Sequence, residues 1–299
     1  MAKEIRHIDF RDEISRNKLK SFILVFAVLA VLIMLGYIIF QFASIDFFSF
    51  AIIWTAVSVL YLAVSYYNSD KIALMSVGAR KADERQYRQL YNSVEGLTIA
   101  SGLPMPKVYI MESQQINAFA TGRDEKHCAV CVTSGMLAKL DKHELEGVLA
   151  HELTHIKNYD VRFATLVAVM VGMISIISEV FLRSLWYGGA SSRDDKKGGN
   201  AVFMLIGIAL AILAPIVVKL VQLAISRKRE FMADAGSVEI TRYPKGLISA
   251  LKKISDDKPI KVNAAVAPLF FSSPMKESLS NLFQTHPDIN KRIMVLEQM

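Results

Sequence analysis

His151 and His155 stand four residues apart in the stretch Leu145-Glu-Gly-Val-Leu-Ala-His-Glu-Leu-Thr-His-Ile-Lys-Asn-Tyr-Asp160. On a helix, positions i and i+4 share a face, so two imidazoles at this spacing can grip one metal ion. Glu152 sits beside the first histidine, where a carboxylate can polarise a metal-bound water. The chemistry this suggests is metal-assisted hydrolysis, with a base next to the metal.

The pattern is the H-E-x-x-H of zinc peptidases, but five residues are few enough to arise by chance, so a third ligand decides its weight. A catalytic zinc takes three protein ligands and leaves a position open. The metzincin spacing would need glycine at 158 and histidine at 161. Asn158 and Val161 stand there, which excludes that class. The remaining arrangement takes an acid from a later helix, and Glu179, Glu230, Asp234 and Glu239 are the candidates. Glu179 lies midway along an apolar run. Glu230-Phe-Met-Ala-Asp234 places two carboxylates on one helix face, with small Ala233 permitting close packing. Glu230 is therefore expected as the third ligand, and Asp234 as the acceptor for the free N–H of a ligating histidine. Asp160 is a further candidate to hold the end of the helix or support a ligand. His127 and His143 read as surface or packing residues.

The element carrying the histidines can be located independently. Asp141-Lys-His-Glu144 is a capping box, so the helix starts at Asp141 and the motif falls about three turns in. Upstream, the periodicity of Tyr87, Leu90, Tyr91, Val94 and Leu97 predicts a helix over 83–100, ended by Gly102 and Pro104. Short strands are expected over 107–112, 117–122 and 127–133. Cys128 and Cys131 fall on the last of these, three residues apart, so their thiols should diverge and serve packing in a reducing compartment. Further helices are expected through Glu230 and Asp234, over 244–254, and from about Pro287. The stretch 256–280 has three prolines and weak periodicity and reads as a loop, placed to gate the cleft.

Apolar residues make up 53% of the 299 and charged residues 21%. That balance points to membrane segments interrupting a polar body. Runs over 21–43 and 48–67 are long enough to cross a bilayer, and the first lacks the short apolar region and small-residue cleavage site of a signal peptide. Two more apolar runs, 161–187 and 201–225, read as a second hairpin, although the first holds Glu179 and Arg183 and the second Pro215. Lysine and arginine lie before the first span and after the second, with none between, which puts both flanks in the cytoplasm. The expected organisation is an N-terminal segment and hairpin (1–67), a first catalytic part (68–160), a second hairpin (161–226) and a second catalytic part (227–299). The net charge of +7 is assigned to membrane flanks, and no basic stretch interleaved with aromatics supports nucleic-acid binding. Nothing in the sequence fixes an oligomeric state.

His151-Glu-Leu-Thr-His155, Glu230-Phe-Met-Ala-Asp234, Asn117-Ala-Phe-Ala120 and Thr285-His-Pro287 occur in an order that resembles the HtpX-type membrane zinc metalloproteases, a family related to the CAAX prenyl endopeptidases. The resemblance covers nearly the whole chain. It implies a mainly α integral membrane protein with a small β-sheet, its gluzincin-like domain interrupted by a transmembrane hairpin. It further implies one Zn2+ per chain and cleavage of misfolded or damaged membrane proteins in quality control and stress response. Asn117, Ala118, Phe119 and Ala120 would then form the edge on which polypeptide substrate lies extended. His286 would approach the oxyanion of the tetrahedral intermediate, and Arg292 would support it. Glu152 would be the general base. Lipidated-peptide processing of the CAAX type and a non-catalytic membrane scaffold are the competing readings, and a transporter is a more distant one.

Overall fold

A computed structural model describes residues 46–166, 227–258, 260, 262, 269–271 and 287–299, together with single positions between Ser15 and Phe40. Most of the expected first span, most of the second hairpin with Glu179 and Arg183, much of the 256–280 loop and His286 lie outside the described residues.

Helix α1 (Phe47–Tyr67) is capped by Asp46, whose side chain accepts from the Ser49 N–H at 2.9 Å. At 1.5 Å per residue its 21 residues extend about 31 Å, the thickness of a bilayer core. Its burial is inverted relative to a soluble helix. Phe48, Ile52 and Leu60 are exposed, whereas the buried positions are Ser58 and Ser65, two turns apart on one face. A helix apolar on its exposed surface suits lipid rather than water. Its C-terminal end is tied to the soluble body. The Arg123 guanidinium lies 4.8 Å from the Tyr67 ring and donates to the Tyr67 carbonyl at 3.2 Å, and Arg162 stacks over Tyr66.

The body follows as α2 (Ser69–Ser76), β1 (Arg80–Lys81), α3 (Arg88–Ser101), β2 (Lys107–Met111), β3 (Ala118–Asp124), β4 (His127–Thr133), α4 (Ser134–Lys139) and α5 (Lys142–Lys157). After the undescribed stretch come α6 (Arg227–Thr241), α7 (Pro244–Asp256) and α8 (Ile289–Leu296). The fold is mostly helical with a small mixed sheet. Helix α3 begins five residues later than the periodicity predicts, because the Asp83 carboxylate accepts from the N–H groups of Arg85 and Gln86 and makes a turn of that stretch. It ends where expected, at Gly102, whose φ of +73° closes the helix in the left-handed region.

The four strands are ordered β1-β2-β4-β3. Strand β2 runs parallel to β4, while β1 pairs with β2 and β3 with β4 antiparallel. Strand β3 is thus an outer strand. Its start is fixed by Asn117, whose N–H donates to Thr133 Oγ1 at 3.1 Å while its side-chain oxygen accepts from the Ala118 N–H at 3.0 Å. The two cysteines diverge as the strand period requires. Cys128 joins the core beneath α3 and α5, and Cys131 joins the cluster with Phe119 and Phe270. Both are free thiols, and burial pushes Cys128 up to about 12.

Helix α5 is the axis of the domain, and its capping box is present as predicted: Asp141 accepts from the Glu144 N–H, and Glu144 accepts from the Asp141 N–H. Glu144 also receives the Ser249 hydroxyl and the Lys253 ammonium, each at 2.6 Å, which docks α7 on the start of α5. Two glycines set close approach. A Cβ on Gly147 would come within 2.7 Å of the Leu247 backbone nitrogen, and one on Gly236 within 2.4 Å of Thr154. Beyond α5 the chain turns through Asn158 and Tyr159 and resumes as helix over 160–166, where Val161, Phe163 and Thr165 are buried.

Candidate metal centre and cleft

Helices α5 and α6 cross with the His151/His155 face of one against the Glu230/Asp234 face of the other. Nε2 of His151 and Nε2 of His155 are 3.1 Å apart. Glu230 Oε2 lies 3.7 Å from the first and Glu230 Oε1 3.6 Å from the second. Among the described residues these three form the group able to hold a metal ion. Ligand bonds of the usual zinc length at tetrahedral angles set ligand atoms about 3.3–3.5 Å apart, close to this triangle.

The tautomers favour the same conclusion. His151 Nδ1 is 3.0 Å from Asp234 Oδ1, and His155 Nδ1 is 3.0 Å from Asp160 Oδ2. A neutral imidazole facing a carboxylate through Nδ1 carries its hydrogen there, so each Nε2 presents a lone pair toward the shared point. Each aspartate is held in turn by a buried arginine. Arg292 donates to Asp234 from Nε at 2.9 Å and from Nη2 at 2.6 Å, and Arg229 Nη1 lies 3.3 Å from Asp160 Oδ1. The ligand histidines thus stand on two His–Asp–Arg relays.

Burial and charge define the electrostatics. His151, Glu152, Glu230, Asp234, Asp160, Arg229 and Arg292 are all buried. Desolvation pushes His151 down to about 4 in spite of its bond to Asp234. Desolvation acts on His155 in the same sense, but the Asp160 bond and the charges of Glu230, Asp160 and Glu152 outweigh it and push that imidazole up to about 9, so a cation binding there must displace the Nε2 proton to expose the lone pair. Burial would raise the Asp234 carboxyl, yet Arg292 and His151 hold it below the usual range. Four carboxylates outnumber the two guanidiniums in this cluster, an excess of negative charge that a divalent cation would offset on displacing the proton from His155. The chemistry of the donor set therefore fits a divalent metal.

The sequence-predicted residues His151, Glu152, His155, Glu230, Asp234 and Arg292 converge on one place. Arg292 makes polar contacts with Asp234, Glu230 and His151, so its position is at the base of the ligand histidine. Asn117, Ala118, Phe119 and Ala120 begin the outer strand, all buried. His143 is exposed beside Tyr243, and His127 is exposed beside Asp124. Two participants escape the sequence reading. Arg229 adjoins Glu230 yet points to Asp160, and adjacency to a ligand was its only signal. Phe271 packs its ring against His151 at 4.9 Å and under the Arg292 guanidinium at 4.8 Å, and nothing in the local sequence marks it.

A His-His-Glu group on crossed helices, two of its members buried, beside a carboxylate and an outer strand, defines a metallopeptidase centre. The profile of peptidase family M48 matches residues 84–299, and the chain belongs to that family. It is a metallopeptidase with a metal cofactor, acting on polypeptides, and α1 is long and apolar enough to cross a bilayer. Relatives named as protease HtpX homologs include one from Dictyoglomus thermophilum, 44% identical over 97% of this chain and 95% of that protein. Another, from Thermoanaerobacter pseudethanolicus, is 48% identical over 81% of this chain and 82% of its own length. A third, from Tropheryma whipplei, is 41% identical over 96% and 97%. Among solved structures, the crystal structure of S. mikatae Ste24p shares the fold, with a TM-score of 0.51 and 20% identity over 95% of this chain and 66% of that one.

Proposed function

We propose that this chain is a zinc-dependent endopeptidase of the cell membrane, multi-pass, with its N-terminus and active site in the cytoplasm, that cleaves misfolded or damaged membrane proteins. The observation that carries the reading is the triangle of His151 Nε2, His155 Nε2 and Glu230, its two imidazoles each oriented by an aspartate.

His151, His155 and Glu230 would hold the metal. A bound zinc would supply Lewis acidity, lowering the pKa of water and polarising the scissile carbonyl. Glu152 would take the proton from the attacking water and deliver it to the leaving amine. Its burial supports that role, since a carboxylate shielded from bulk water acts on the proton it faces rather than exchanging it. Asp234 and Asp160 would hold the imidazoles in the Nδ1–H tautomer. The outer strand at Asn117–Ala120 would pair with an extended substrate backbone, which demands little of the substrate's sequence and suits quality control. His286 would serve the oxyanion. The catalytic domain would consist of 68–160 and 227–299, interrupted by a hairpin over 161–226. The link from Tyr66 and Tyr67 to Arg162 and Arg123 supports a site close to the bilayer face.

The test is proteolysis of an unfolded membrane protein by the wild type and by Glu152→Gln in detergent or nanodiscs. Loss of cleavage in the variant is expected, and equal activity would overturn the mechanism. A prenylated peptide run alongside distinguishes the substrate class: selective cleavage at the prenyl-cysteine would redirect it to lipidated peptides.

A further inference from the structure

The edge on which substrate would lie is already occupied by the chain itself. Phe270 forms an antiparallel bridge with Phe119, and the backbone N–H of Phe271 donates to the Ala118 carbonyl at 2.8 Å. Successive side chains of an extended segment point to opposite sides. The Phe270 ring packs against Phe119 at a tilt of 46°, centroids 4.8 Å apart, in the cluster with Met111, Ala129 and Cys131. The Phe271 ring turns the other way, toward the metal group. It meets the His151 ring edge-on at 4.9 Å and 80° and lies beneath Arg292. Leu269, Phe270 and Phe271 are all buried.

We infer that Leu269–Phe271 sits where an extended substrate would sit, and that the pocket formed by Ala118, His151 and Arg292 selects an aromatic side chain. This rests on the proposed endopeptidase reading. The Ala118 carbonyl faces away from β4 on an outer strand, so it is the acceptor that an incoming backbone would use, and one such edge cannot pair with two strands at once. The selection follows from what the ring meets. An imidazole at edge-to-face distance and a buried guanidinium over the face both favour an aromatic π-system, and an aliphatic side chain offers neither contact. Substrates preferred by this cleft are unfolded stretches that present Phe, Tyr or Trp in extended conformation. The internal segment competes with them intramolecularly, independent of enzyme concentration. Substrate must therefore displace it, and the apparent affinity is reduced by the fraction of time the edge is covered.

The experiment uses the full-length, metal-loaded enzyme. A set of fluorogenic peptides differing at one position (Phe, Tyr, Leu, Ala or Asp) should show kcat/KM about tenfold or more higher for the aromatic residues. Acetyl-Leu-Phe-Phe-amide, the sequence of the internal segment, should inhibit competitively, and acetyl-Leu-Phe-Ala-amide at least tenfold more weakly. Phe271→Ala should lower KM for long unfolded polypeptides more than it changes kcat. The two peptide arms use unmodified enzyme, so they stand even where that variant fails to fold. Flat preference among the peptides, or inhibition that is absent or noncompetitive, would overturn the inference and identify 269–271 as a permanent strand. Those arms are read only against an enzyme whose cleavage is abolished by Glu152→Gln. Without that loss, the endopeptidase reading falls first and the inference with it.

Discussion

Arg292 grips Asp234 through two parallel hydrogen bonds, Nε to Oδ2 at 2.9 Å and Nη2 to Oδ1 at 2.6 Å, both residues fully buried. The same Oδ1 faces His151 Nδ1 at 3.0 Å, so one carboxylate transmits the orientation of the guanidinium to the imidazole. Lysine cannot reproduce that fork. Arg292→Lys should retain the fold while weakening metal affinity by about 10–100-fold, the usual cost of disturbing a partner of a ligand histidine. Chelator competition measures this directly, and unchanged affinity would refute the relay.

Asp160 does for His155 what Asp234 does for His151. Asp160→Asn should weaken metal binding by a similar factor of about 10–100. Arg229→Met should do the same through Asp160, and the double variant should cost much less than the product of the two. Additive losses would show that Arg229 acts elsewhere.

Removal of the base should separate binding from turnover. Glu152→Gln is expected to keep one metal per chain by elemental analysis while kcat falls by about 10²–10⁴-fold. Loss of metal in this variant would make Glu152 a ligand rather than a base. His151→Ala and Glu230→Ala should both lose the metal, and full occupancy without Glu230 would remove it as third ligand.

Acid should weaken the domain through Glu144. Burial alone would raise this carboxyl, but Lys253, Ser249 and the Asp141 N–H outweigh it and hold it below the ordinary range. A depressed carboxyl contributes its stability above the unfolded value of about 4.3 and loses it as pH falls through the lower folded value. Glu144→Gln should therefore cost about 1–3 kcal/mol at neutral pH, a typical charge-assisted contribution. The gap between variant and wild type should close in acid below about pH 4. Urea titrations at pH 7 and pH 3 check both limits, and a gap independent of pH would exclude the carboxylate as the source.

Crowding at Gly147 gives a structural test. Gly147→Ala would drive a methyl to within 2.7 Å of the Leu247 backbone, where no flexible side chain can yield. Helix α7 must shift, at a cost of about 1–3 kcal/mol. A melting temperature equal to the wild type would mean that α5 and α7 are less closely packed.

What the sequence makes legible here is local. The capping box at Asp141 and Glu144, the shared face of His151 and His155, and the period-two run of His127–Thr133 each follow from neighbours within a turn or a strand. Glu230 was legible because ligand chemistry left few acids of the right kind. Arg229 was not, since its partner Asp160 lies 69 residues earlier and no spacing rule links them. Phe271 escaped for the same reason: its contacts with Ala118, His151 and Arg292 come from three separate elements. The late start of α3 shows a side chain overruling periodicity, with Asp83 taking backbone N–H groups that a helix would have used.

Helix α6 alone delivers Glu230 between the two imidazoles, Asp234 to His151 and Arg229 to Asp160. The third ligand and a partner for each histidine relay arrive on one rod, so the site works as a clasp whose three catches engage together. Loop closure costs only about 0.6 kcal/mol more for each doubling of the intervening chain. By that measure the length of chain between Asp160 and Arg229 matters little to closure, while the three catches are fixed. A protein built this way can change the length between those two residues and leave its chemistry unchanged.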